Sequence, residues 1–331
     1  MTVTVGRRTF LAGLGSAAVA CSFAARAQEP GRIYRIGFLI PTPRDRPAVA
    51  ALFDELQLHG FVEHQNLEVL PGGFGVRNEE LTELAADLVK AAPDAIVAGP
   101  ELPLRTLRAA TRTVPLIGLS EDLVAEGLAD SLAHPGGNIT GISLLSPELD
   151  GKRQEILIEA VPAARQIAAM FDAEVTQPYH LQMLQHAARS RGVKLSILGV
   201  NGPEEIAAAI DGAKALGVEA LNFLATPLFS VPGSRNNQIV LERLATVRLP
   251  AIFQWPETAE AGAVLAYGPR FTDVYRQRGR IVAKVLRGSK PAEIPVEQPT
   301  RFELVLNLKA AKIIDHQVPA GLVARADKVV E

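Results

Sequence analysis

The chain has 331 residues, enough for two domains, and its 48% apolar and 21% charged residues exclude a disordered polymer. With 34 Lys and Arg against 36 Asp and Glu, the formal charge is −2, and the basic surplus of a dedicated nucleic-acid binder is missing. A single cysteine excludes a disulfide framework and a Cys-based zinc site.

At the N-terminus, Arg7 and Arg8 precede an uncharged run of small and apolar residues from Phe10 to Ala25. Ala25-Arg26-Ala27 then puts small residues at the two positions a signal peptidase must accept, so residues 1–27 read as a secretory signal peptide cut after Ala27. The uncharged run is too short, and too rich in Ala and Gly, to be the roughly 20-residue apolar span of a membrane anchor. Arg7-Arg8-Thr9-Phe10-Leu11 resembles a twin-arginine export signal, with ordinary secretion as the alternative. Cys21 reads as a signal-peptide residue, because Ala18-Val19-Ala20 lacks the Leu usual before a lipidated cysteine. Removal of the three leader arginines leaves 31 bases, 36 acids and a charge of −5. That describes a thiol-free, mildly acidic protein of the periplasm.

The predicted strands in chain order are 34–40, 66–70, 94–98, 115–119, 138–143, 166–171, 194–200, 220–225, 251–254 and 263–267. Amphipathic helical stretches lie between them. Leu81, Leu84, Ala85 and Leu88 make one apolar stripe; Ile156, Leu157, Ala160 and Val161 make another; Val274, Ile281, Val282 and Val285 a third. Continuous apolar strands alternating with helices predict an α/β fold of parallel sheets covered on both faces. The turn cluster His134-Pro135-Gly136-Gly137-Asn138 divides the chain. Two α/β lobes are therefore expected, 32–142 plus about 268–290, and 143–265 plus about 300–331. The proline-rich stretch 291–299 reads as an extended surface connection, and 320–330 as a terminal docking helix.

No nucleophile elbow, zincin motif or phosphate loop occurs after the leader. His180 and His186 are six apart on one predicted helix, off a common face, and make poor joint metal ligands. Glu79-Glu80 reads as a solvated pair in a first helical turn, and Arg276, Arg278 and Arg280 as a solvated basic face. No catalytic residue, metal site or cofactor is assigned.

Ligands of open α/β sheets bind at the carboxyl ends of strands, where helix N-termini and loops converge. The residues standing there are Thr42 and Pro43; Gly99, Pro100 and Glu101; Ser120, Glu121 and Asp122; Asp172; Thr226, Pro227 and Phe229; Gln254, Trp255 and Glu257; and Tyr267. This mixture of carboxylates, polar groups and aromatics suits a pocket for a small polar or aromatic solute. Each has a competing structural role: Thr42, Ser120, Glu121 and Asp172 as helix or turn caps, Trp255 and Phe229 as core.

Three stretches carry a family resemblance: Pro135-Gly136-Gly137-Asn138-Ile139-Thr140-Gly141 followed by Lys152-Arg153-Gln154-Glu155-Ile156-Leu157; Tyr267-Gly268 with Thr272-Asp273-Val274-Tyr275-Arg276-Gln277; and Gln298-Pro299-Thr300-Arg301-Phe302-Glu303-Leu304-Val305-Leu306-Asn307-Leu308-Lys309. With these the chain resembles the extracytoplasmic substrate-binding proteins of ABC transporters, tryptophan/tyrosine-type branch. The resemblance implies a type I periplasmic-binding fold, two doubly wound parallel-sheet lobes with a hinge and an interlobe cleft that close on an amino acid or related solute, delivery to a membrane ABC permease, and no catalysis; the chain is read as a monomer. It implies hinges near 142–146, 252–256 and 266–270. Two loops depart from the family pattern. Gly99-Pro100-Glu101-Leu102-Pro103 stands where relatives carry a Gly-Gly-Thr-Pro-like loop, and Asp172-Ala173-Glu174-Val175-Thr176 where an Asn-Pro-rich loop is usual. Proline removes an N–H and the acids add charge, so a neutral or cationic solute, or one recognised by its amine, is expected. A periplasmic sensor presenting its closed form to a membrane receptor, and an exported hydrolase, are the alternatives.

Overall fold

The computed structural model describes residues 31–144, 146–174, 176 and 178–331; the expected signal peptide, with Cys21, lies outside them. The first part of the chain alternates β1 (Tyr34–Leu39), α1 (Pro47–Leu58), β2 (Leu67–Val69), α2 (Leu81–Lys90), β3 (Ala95–Ala98), α3 (Glu101–Ala110), β4 (Leu116–Ser120) and β5 (Ile139–Ser143). These strands pair in parallel in the order β2-β1-β3-β4-β5. The apolar runs Ala95-Ile96-Val97-Ala98 and Leu116-Ile117-Gly118-Leu119 are buried throughout, as strands covered on both faces require. Leu81, Ala85 and Leu88 bring the apolar side of α2 onto the sheet.

The second part runs α4 (Ser146–Ala160), β6 (Gln166–Asp172), α5 (Pro178–Ser190), β7 (Lys194–Val200), α6 (Ile206–Ala215), β8 (Leu221–Phe223), α7 (Pro227–Ser230), α8 (Arg235–Val247), β9 (Ala251–Phe253), α9 (Pro256–Ala261) and β10 (Leu265–Gly268). Next come α10 (Phe271–Leu286), β11 (Glu303–Asn307), α11 (Leu308–Ile313), α12 (Ala320–Val323) and β12 (Lys328–Val330). The second sheet has the order β12-β11-β10-β9-β8-β6-β7, parallel except where β10 meets β11. The molecule is thus two α/β lobes built on separate sheets.

Helix α10 leaves the second sheet and packs along α1 in the first lobe. Gly279 makes that approach feasible, since a Cβ there would stand 2.9 Å from the Leu52 carbonyl oxygen. The chain therefore passes between lobes three times: after β5, between β10 and α10, and between the extended segment around Glu297 and β11. The segment 252–256, expected as a hinge, instead runs from β9 through Gln254 and Trp255 to the start of α9, and the chain stays with the second sheet on both sides of it.

Two further expectations are corrected. The segment 291–299 is not a surface connection. Ile294 and Val296 are buried, and Glu297 lies beside β5, donating its N–H to the Gly141 carbonyl (2.8 Å) and accepting from the Ser143 N–H (2.9 Å). The prolines hold the segment extended, which suits it to the sheet edge. Residues 320–330 are not one docking helix. The short α12 gives way to β12, whose Val329 and Val330 pair beside Leu306 and Asn307, a place that β-branched side chains favour.

Candidate functional site

The carboxyl ends of both sheets face one cleft of about 410 Å³, within the size range of small-molecule sites. The first lobe contributes Pro41 and Thr42 after β1, the turn Val76–Glu79 after β2, Gly99–Pro103 after β3, and Ser120 and Glu121 after β4. The second contributes Asp172 after β6, Ala225–Leu228 after β8, and Gln254 and Trp255 after β9. Phe271, Tyr275 and Arg278 of α10 complete the wall.

Of the residues expected from the sequence, the fold brings Thr42, Gly99, Pro100, Glu101, Ser120, Glu121, Asp172, Thr226, Pro227, Gln254 and Trp255 to this cleft. Others are placed elsewhere. Pro43 turns away from the lining, its carbonyl accepting from the Arg46 N–H at 3.3 Å. Asp122 caps its own turn, accepting from the N–H groups of Val124 and Ala125 at 3.0 Å. Phe229 is wholly buried edge-on to Phe223, with centroids 5.3 Å apart. Glu257 caps the start of α10, accepting from the Phe271 and Thr272 N–H groups. Tyr267 stacks near Phe302 in the second lobe. Capping and core packing, the competing roles, claim these residues.

Trp255 has both roles. It is 4% exposed, yet it stands on the cleft wall, its ring 4.7 Å from Phe271, which is in turn 4.8 Å from Tyr275. This aromatic chain links the end of β9 to α10 across the lobes. Its far end carries polar groups. The Tyr275 hydroxyl bonds the Thr42 hydroxyl at 2.7 Å, and Arg278 lies with its guanidinium carbon 5.2 Å from the Tyr275 ring centre.

Arg278 corrects the expectation of a solvated basic face. Arg276 and Arg280 are indeed solvated, but Arg278 exposes none of its surface. Its Nη2 donates to the carbonyls of Ala98 (2.8 Å) and Ile117 (3.2 Å) at the ends of β3 and β4. The helical period held the signal for this. Phe271, Tyr275 and Arg278 fall at i, i+4 and i+7 on the face shared with Val274, Ile281 and Val282, whereas Arg276 and Arg280 fall on the opposite one.

Five carboxylates line the cleft, Glu79, Glu101, Glu121, Glu126 and Asp172, against the guanidinium groups of Arg77 and Arg278. Arg77 is bonded to Glu80 at 2.6 Å and Glu101 to Arg105 at 2.5 Å. Glu126, absent from the sequence-based set, accepts from the Ser120 hydroxyl and from the Asp122 N–H (3.4 Å), while its Oε2 has no partner. Burial pushes its carboxyl up to about 7, with the charges of Glu101 and Glu121 adding to the shift. Burial raises Asp172 as well. Glu79, expected as a mere solvated partner of Glu80, also lines the cleft. Among the described residues no group of His, Cys, Asp or Glu is arranged to hold a metal ion, and no helix is long and apolar enough to cross a membrane.

Residues 48–330 match the family described as ABC transporter substrate binding protein, and the chain belongs to that family. It is 26% identical over 211 residues to the tyrosine-binding protein of Clostridioides difficile (strain R20291). That match takes in 63% of this chain and 59% of the relative, so the chain spans less than two thirds of the relative's length. Among solved structures, the ABC domain of a Streptococcus pneumoniae protein in complex with L-Trp superposes with a TM-score of 0.76 at 20% identity, over 90% of this chain and all of that one. A conserved domain protein from Vibrio cholerae gives 0.77 at 22% identity over the same shares. These likenesses show the fold, a type I periplasmic-binding arrangement of two lobes.

Proposed function

We propose that this substrate-binding protein is exported to the periplasm, captures an amino acid or closely related solute between its lobes, and hands it unaltered to an ABC permease. The observation that carries the reading is the cleft itself: both sheets present their carboxyl ends to it, so one solute touches both lobes. A solute bound in this way favours the closed arrangement by the difference between its affinities for the closed and open forms. The binding of tyrosine by one relative and of L-Trp by another points to an amino acid as the solute class. The excess of carboxylates around the cleft disfavours a dianion and favours a solute of zero or positive net charge with a free amine. Arg7-Arg8 and Ala25-Arg26-Ala27 support export with cleavage after Ala27, and we read the mature chain as a monomer.

The protein has one tryptophan, so its intrinsic fluorescence reports Trp255 alone. A screen of amino acids, amines and dicarboxylates should give a saturable change for at least one amino acid. Tightest binding to a simple dianionic acid, or binding proved by calorimetry with no fluorescence response, contradicts the reading of the cleft.

A further inference from the structure

We infer that the solute carries a carboxylate and that Arg278 receives it at the floor of the cleft, with Gln254 of the facing lobe as a second donor. The inference rests on the cleft being the solute site and goes beyond it, to the group recognised and the residue that recognises it.

Arg278 is a fully buried cation, and the groups that face it are the carbonyls of Ala98 and Ile117 and the side chain of Tyr275, none of them charged. A guanidinium cannot shed its proton to escape burial, so its charge must be offset where it stands. The carbonyls of Ala98 and Ile117 occupy Nη2 only, the Tyr275 side chain stands beside the guanidinium, and Nε and Nη1 make no well-formed hydrogen bond of their own. On the opposite lobe Gln254 is 1% exposed, and its Nε2 also has no acceptor. Both side chains line the same cleft. Unsatisfied buried donors are costly, and two on residues that line one cleft from opposite lobes, both closed to water as the cleft stands, suit one kind of guest, an acceptor reaching them as the lobes close. The positive charge of Arg278 makes that acceptor an anion.

The surroundings limit the anion to a single charge. Glu79 and Asp172 stand around the same cavity and would repel a phosphate dianion or a dicarboxylate. They suit an ammonium group on the same solute. The loop after β3 has one amide fewer for an anion. Pro100 has no N–H to offer an anion, and Arg278, bonded to the Ala98 carbonyl two residues earlier, places a cation beside that loop.

The test is calorimetric titration of the purified protein with amino acids and their decarboxylated amines in pairs: L-tyrosine and tyramine, L-tryptophan and tryptamine, L-phenylalanine and phenethylamine, L-leucine and isopentylamine, L-arginine and agmatine. For the tightest pair the amino acid should bind about 100-fold more tightly than its amine. Arg278→Met should collapse that gap to within about threefold, chiefly by weakening the acid, and Arg278→Lys, which keeps the charge, should leave part of it. The acid-to-amine ratio separates recognition from a merely structural role, which would weaken both compounds alike. If Arg278→Met fails to fold, a gap undiminished in Arg278→Lys overturns the assignment. An amine that binds as tightly as its acid, or a gap unchanged in Arg278→Met, overturns it too while leaving solute binding intact. If the folded protein binds no member of the panel, the solute-binding reading falls and this assignment with it.

Discussion

Glu126 shows how one side chain couples the cleft to pH. Its folded carboxyl holds a proton up to about 7, whereas the unfolded chain releases it near 4.5. Between those values the folded state binds more protons, so the stability contributed by Glu126 is present in acid and is lost as pH rises through 7. Glu126→Gln should leave stability nearly unchanged at pH 4 and raise it by about 1–3 kcal/mol at pH 8, as urea titrations at the two pH values would show. A gain that is equal at both would mean the carboxyl is not perturbed. Gly99 gives a second test at this scale. Its φ of +148° and a would-be Cβ only 2.4 Å from the Leu119 carbonyl leave no room for a side chain. Gly99→Ala should cost roughly 2–4 kcal/mol and weaken solute binding, measured by urea denaturation and calorimetry. Residues at strand ends were legible because topology alone sends them to the cleft, as for Thr42, Glu101 and Trp255. Glu126 was not, because it lies six residues beyond Ser120 and reaches the cleft only through the turn that Asp122 caps.

At the scale of elements, α10 does most to join the two halves. It follows β10 of the second sheet, packs on α1 of the first lobe, and carries Phe271, Tyr275 and Arg278 into the cleft on one face. Gly279 sets its distance from α1, and Gly279→Ala should destabilise the protein by about 1–3 kcal/mol through the clash with Leu52 and Glu55, seen as a lowered urea midpoint. An unchanged midpoint would mean that the two helices separate at no cost. The apolar period of α10 was legible in Val274, Ile281, Val282 and Val285, but the three alternating arginines masked the register of the middle one. The ten predicted strands all form, with ends shifted by a residue or two. β11 and β12 escaped notice for different reasons. Glu303-Leu304-Val305-Leu306-Asn307 starts and ends on polar residues although it is buried throughout, and Lys328-Val329-Val330 is too short to show a period. The proline-rich segment before β11 misled because proline marks loops in general, yet an extended sheet edge accepts it equally well.

The whole molecule is two sheets of separate composition joined by three passages of chain, with a cleft where their carboxyl ends meet. Alternating strands and helices made this architecture legible, and Glu101 and Asp172 in the loops 99–103 and 172–176 foreshadowed the acidic cleft. The passages themselves were less so. One lies between Glu297 and β11 rather than near residue 254, since sequence alone does not tell which sheet a strand will join. Three thin connections between well-packed lobes permit rotation of one lobe against the other while each core stays intact. A solute that touches both lobes shifts that equilibrium toward the closed form. The most direct test of this account is solution X-ray scattering of the protein with and without its tightest-binding solute. The account predicts a smaller radius of gyration at saturation, and a radius unchanged or increased by a saturating solute contradicts it.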